Sequence, residues 1–149
     1  MGKMNWSRII LGGLFGSVVM MVLAILEMKT LQGPWLDAAI ELLGPQTDSD
    51  WWRFISAMGV LCVVGGIMSV WLYAAIRPRF GPGPKTAAIV GLAVWLPTST
   101  VDWFWASTGF VPSRGMMIPI LAFLPILIAV AISGAWLYKE DGEPEEGGR

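Results

Sequence analysis

The sequence predicts an all-α protein, a four-transmembrane-helix bundle with N- and C-termini cytoplasmic. Three observations predict it. Hydrophobic residues make up 55% of the 149, charged residues only 14%, and mean hydropathy is +0.63. A soluble domain carries about 25% charged residues. The charges are also segregated: uncharged runs cover 9–26, 54–76, 86–101 and 115–138, or 18, 23, 16 and 24 residues. A spanning helix needs about 20 apolar residues, and the third run reaches that length only if Asp102 is included. Finally, residues 71–86, WLYAAIRPRFGPGPKT, read as the end of one helix, a basic turn and the start of the next. The reading is one domain over 1–138, with helices at about 6–27, 52–76, 86–105 and 116–138.

Lys3 and Arg8 place the start of the chain inside by the positive-inside rule. The first run is long and lacks an A-x-A-like cleavage site, so a retained helix is expected, not a signal peptide. Gly12/Gly16 and Gly13/Ser17 form small-xxx-small pairs, which let helix backbones approach closely in lipid. Packing of this face within the bundle is preferred to packing between copies. The following loop carries Glu27, Asp37, Glu41, Asp48 and Asp50 against Lys29 and Arg53, an acidic excess that suits the outside. Within it, 34–43 (PWLDAAIELL) has apolar residues at helical spacing and predicts a short amphipathic helix on the outer surface.

Trp51 and Trp52 mark the outer interface, where the second helix begins. Gly59, Cys62, Gly66 and Ser69 share one stripe of it, and Cys62 reads as a small packing residue. Arg77, Arg79 and Lys85 put the following turn inside. Pro78, Pro82 and Pro84, with Gly81 and Gly83, are expected to stop the helix, and Pro84 suits the first turn of the next. Gly81-Pro-Gly-Pro-Lys85-Thr86 superficially resembles a phosphate loop, but Pro84 occupies the last glycine position of that motif and prolines remove cradling N–H groups. Pro97 interrupts the third helix, and Thr98, Ser99 and Thr100 are placed to satisfy the carbonyls it frees. Pro125 is the expected kink of the fourth. Five acids and three glycines in 139–149 predict a disordered cytoplasmic tail.

The chain has no histidine and one cysteine. No internal disulfide and no C-x-x-C pair exist, and the commonest metal ligand and general base is missing. No metal and no cofactor are expected, an enzyme ranks last, and a net charge of −1 implies no nucleic-acid partner. Chemistry concentrates in two acids near the outer leaflet. Gly13, Gly16, Met20, Ala24 and Glu27 follow one stripe of the first helix; Gly91, Trp95, Thr98 and Asp102 follow one stripe of the third. A charge in the membrane is costly and needs a partner, which Arg53 or Arg114 is placed to supply. One reading is an ion-pair cluster fixing the helix ends. The other is a ligand cavity open to the outside, lined by Glu27, Trp95, Thr98 and Asp102; it requires the first and third helices to be neighbours, and Thr98, one turn from Asp102, is close enough to hydrogen-bond it.

The run WLYAAIRPRFGPGPKTA, with GLAVWL at 91–96 and GAWLYKE at 134–140, resembles a family of small bacterial four-helix membrane proteins without an assigned function. The resemblance implies a bacterial inner-membrane location and adds no chemistry. By helix count the chain is also similar to small multidrug transporters and DoxX-like proteins, but the former rely on an acid in the body of helix one, where 9–26 is uncharged. The partners expected are the lipid bilayer and either the protein itself or another membrane protein. A structural or accessory role stands first, and a binder or transporter of a small cationic or amphiphilic molecule second.

Overall fold

The structure, a computed structural model, describes residues 4–31, 41, 46–108 and 113–138, with side chains from Met117 onward in the last stretch. The amphipathic helix expected at 34–43 (Glu41 apart) and the tail at 139–149 lie outside the described residues. Among the described residues four long helices follow one another: α1 (Trp6–Leu31), α2 (Asp48–Phe80), α3 (Pro84–Ser107) and α4 (Ser113–Leu137). All four are long and apolar enough to cross a membrane, and among the described residues there is no strand.

The helices run past the charges that bounded them in the sequence, because backbone hydrogen bonding does not stop where hydropathy does. α1 continues through Lys29, and Thr30 Oγ1 donates to the Leu26 carbonyl at 2.7 Å. α2 begins at Asp48 behind the N-cap Thr47, whose N–H donates to the Asp50 carboxylate at 3.1 Å. That is one half of a capping box. At its other end α2 does not stop before Pro78, as expected, but carries the proline in its last turn. A proline there forfeits one ladder bond, to Ala74, and leaves the rest intact. The helix ends instead at Gly81, with φ 79° and ψ 166°, a region essentially reserved for glycine. Pro84 opens α3 two residues after Pro82.

α1 packs extensively on α2 and on α4, and α4 on α3; α2 meets α3 and α4 less fully. The helices thus form an arc in the order α2, α1, α4, α3, with a loose seam between α2 and α3. One core joins Ile9, Val70, Tyr73, Ala74, Ala87, Val90, Ala131 and Tyr138, so the start of α1, the end of α2, the start of α3 and the end of α4 share one end. The second core draws its buried residues, Met20, Cys62, Ile126, Leu127 and Val130, from α1, α2 and α4; α3 adds only partly buried Val94 and Trp95. α3 therefore drifts from the centre as it leaves the basic turn.

Lipid supplies no hydrophobic drive between helices, so association depends on close packing. The glycines provide it. A Cβ on Gly12 would stand 2.6 Å from the Gly134 carbonyl oxygen, one on Gly13 2.7 Å from Ile67 Cα, and one on Gly91 2.7 Å from Ile128 Cα. The small face of α1 is taken up inside the bundle.

Candidate functional site

The drift of α3 opens a cleft in the seam, in the half of the bundle away from the turn. Leu61 and Gly65 of α2 form one wall, and Val94, Thr98, Val101 and Asp102 of α3 the other. Met20 of α1 and Ile120, Phe123 and Leu127 of α4 make the floor. Its volume is about 510 Å³, within the range of small-molecule sites. The lining is almost wholly apolar, and its carboxylate is Asp102. Asp102 lies nineteen residues beyond Gly83, about 28 Å along the helix axis, so it marks the far rim of the cleft. It is half-buried and forms no hydrogen bond or ion pair with any described residue.

The residues picked out in the sequence are only partly brought together. Asp102 and Thr98 line the cleft; among the described residues the lining includes neither Glu27 nor Trp95. Glu27 is buried on α1, in line with Met20 and Ala24 as the stripe requires. But α1 and α3 are not packed neighbours among the described residues: they form the long diagonal of the bundle, and Glu27 does not line the cleft that holds Asp102. Trp95 turns into the α3–α4 interface, where its Nε1–H donates to the Ile120 carbonyl at 2.8 Å. Thr98 does not bond Asp102; its hydroxyl donates back to Trp95 O at 2.8 Å, with Val94 O at 3.1 Å. Ser99 and Thr100 likewise donate to the Leu96 carbonyl, at 3.0 and 2.7 Å; the carbonyl that Pro97 deprives of its ladder donor is that of Ala93, and none of these three hydroxyls is directed to it. Arg53 is exposed and lies 3.6 Å from Asp50 on its own helix. The Arg114 side chain lies outside the described residues.

Sequence reasoning missed the floor of the cleft. Met20 was assigned to the α1 stripe, but nothing in a one-dimensional pattern says that it reaches the space between α2 and α3.

It also missed a second cluster, at the basic end. The Gly83 N–H donates to the Tyr73 hydroxyl at 3.0 Å, and Thr86 Oγ1 donates to the Gly81 carbonyl at 2.7 Å. These bonds clamp the turn from both sides. Tyr73 and Tyr138 meet edge to face with centroids 6.2 Å apart, and the Arg77 guanidinium lies 5.8 Å from the Tyr138 ring centre. The signal was present: Tyr73, Arg77 and Tyr138 all sit in the WLYAAIR and WLYKE segments.

Fold and sites together define a four-helix membrane protein with a lateral cleft at one end and a buried cation at the other. No family model, curated protein or solved structure matches the chain.

Proposed function

We propose that this is an integral protein of the bacterial inner membrane, both ends cytoplasmic, that binds an amphiphile with a cationic head in the cleft between α2 and α3. The observation that carries the reading is Asp102 at the rim of an apolar cleft of about 510 Å³. The hydrocarbon of such a molecule lies along Met20, Leu61, Phe123 and Leu127, and the head meets the carboxylate near the membrane surface. A half-buried charge in this setting gains from a counter-charge. The accessory role has less support, because the glycine faces that would join copies are spent within the bundle.

The test is retention by the purified chain in nanodiscs, read by native mass spectrometry. A dodecyl chain with a quaternary ammonium head is compared with dodecanol. The cationic molecule is retained at least about tenfold better by the wild type, a difference of about 1.4 kcal/mol. Asp102→Asn keeps the shape, stays folded and loses that preference. Equal retention of the two molecules, or an unchanged preference in Asp102→Asn, refutes the proposal.

A further inference from the structure

The cleft that holds Asp102 has an inner end as well as a rim, and helix packing does not account for one residue at that end. Asp102 lies eight residues beyond Val94 on α3, about 12 Å along the axis. Val94 packs on the core that holds Met20, Cys62 and Leu127. The inner end of the cleft is therefore where Val94, Met20 and Leu127 come together, and Gly65 of α2 lines it with them.

α2 carries two adjacent glycines there, and they differ in what they face. Gly66 is buried, and a Cβ on it would run into the Gly13 carbonyl oxygen and the Ser17 hydroxyl. The α1–α2 crossing thus requires glycine at 66. Gly65 does not line that crossing. The atoms within 4 Å of a Cβ built on it are Met20 Sδ, at 3.2 Å, and Met20 Cε, at 3.4 Å. Both belong to the end of an unbranched side chain that adapts readily and that itself lines the cleft. The helix contact therefore tolerates a side chain at 65. What such a side chain would take up is the space at the inner end of the cleft.

We propose that Gly65 sets the length of hydrocarbon the cleft accepts, and that the ligand is a single-chain amphiphile; this rests on the reading of Asp102 as the partner of the cationic head. With the head at Asp102, a chain that reaches Gly65 and Met20 spans about 12 Å, the extended length of about ten carbons. A cavity of about 510 Å³ is of drug-like size and holds one such chain with its head, not the paired chains of a phospholipid. A shorter chain leaves the inner end empty, and the residues around an empty space lose contacts outright. A longer chain runs out along the α2–α3 seam into lipid, where its surplus carbons gain nothing from the protein. Retention therefore rises with chain length and then levels.

The experiment uses the full chain in nanodiscs. Alkyltrimethylammonium ions from hexyl to tetradecyl, in one-carbon steps, are added at matched mole fraction in the bilayer. Bound copies are read by native mass spectrometry, and the melting temperature of each variant is read in parallel. Each methylene that fills empty space is worth up to about threefold in retention, so the wild type rises at least about tenfold from hexyl to decyl and levels beyond about ten carbons. Gly65→Val fills the inner end, moves the plateau about three carbons shorter and cuts the hexyl-to-decyl rise to about threefold or less. Gly65→Ala displaces only the tip of Met20, keeps the fold and moves the plateau in the same direction by a smaller step. Gly59→Ala, on the same helix and outside the lining among the described residues, leaves the profile in place. Failure of the Asp102 reading and failure of the Gly65 role look different. A wild type that retains the ammonium ions no better than alcohols of equal length, at any length, removes the former and the latter with it. A cationic preference without a plateau, with a plateau at one length in the wild type and both Gly65 variants, or with a loss in those variants equal at every length, overturns the role of Gly65 alone.

Discussion

Trp95 shows how a single side chain can be placed on the right helix and given the wrong task. Its indole N–H reaches the Ile120 carbonyl across the α3–α4 interface at 2.8 Å, one turn before Pro125 disturbs the ladder of α4. Replacing it by phenylalanine keeps the ring and removes the bond. Interhelical hydrogen bonds in membranes average about 0.6 kcal/mol, so Trp95→Phe costs about that much in an unfolding titration and leaves retention of a cationic amphiphile unchanged. Trp95→Ala removes the packing as well and costs more than Trp95→Phe in the same titration. Loss of amphiphile binding in the phenylalanine variant would return Trp95 to the ligand site. The same residue marks what a sequence stripe can carry. On α1 the stripe Gly13, Gly16, Met20, Ala24, Glu27 is buried throughout, because that helix has no internal proline and lies between two partners. On α3 the stripe holds at Gly91 and fails at Thr98, which is exposed. Pro97 interrupts the helix there, α3 has one close partner instead of two, and a stripe drawn at constant pitch cannot register either fact.

At the scale of the elements, each hairpin crosses on a glycine. Gly13 of α1 faces Ile67 of α2, and Gly91 of α3 faces Ile128 of α4, each leaving room for no side chain before the opposing backbone. Gly59 is the contrast: a Cβ there meets only Met21 Cε, at 3.9 Å. Alanine is intrinsically the better helix residue by about 1 kcal/mol, so Gly59→Ala leaves the thermal midpoint unchanged or raises it. Gly13→Ala and Gly91→Ala must instead push backbones apart, and each lowers stability by about 1–3 kcal/mol. Equal melting of all three variants in detergent would show that the crossings are not as close as described. The need for small residues on α1 was legible in the sequence, since small-xxx-small spacing has one principal use in lipid. Their opposite numbers were not, because Ile67 and Ile128 present backbone, which leaves no mark on residue type. Helix ends were legible only to within a turn or so. Charges such as Glu27 and Arg53 end an uncharged run without ending a helix, and α2 at 33 residues, about 50 Å, outruns an apolar layer about 30 Å thick.

Among the described residues, charge is biased by end. Arg8, Arg77, Arg79 and Lys85 belong to the end where the start of α1, the end of α2, the start of α3 and the end of α4 meet, while Glu27, Asp48, Asp50 and Asp102 outnumber Lys29 and Arg53 at the other. Helix number and this sorting were the most legible features of the chain, since both follow from composition along one dimension. The α2–α3 seam was not, because which pair of helices in a bundle packs loosely depends on side-chain volumes from all four. The sorting makes a firm topological prediction. The expectation is a basic end that faces the cytoplasm, because lysine and arginine near short turns are retained there. The protein offers a convenient blank for the measurement: its one cysteine, Cys62, is 1% exposed and should not react with a membrane-impermeant maleimide. Ser49→Cys, at the exposed start of α2, then labels in intact cells. Pro82→Cys, exposed in the turn, labels only after the membrane is opened. The reverse pattern would invert the protein, move the Tyr73, Arg77 and Tyr138 cluster to the outer leaflet and place the Asp102 cleft where a cationic amphiphile must arrive from the cytoplasm. Labelling of both sites in intact cells would mean that α2 does not cross the membrane, and the four-span reading would fail with it.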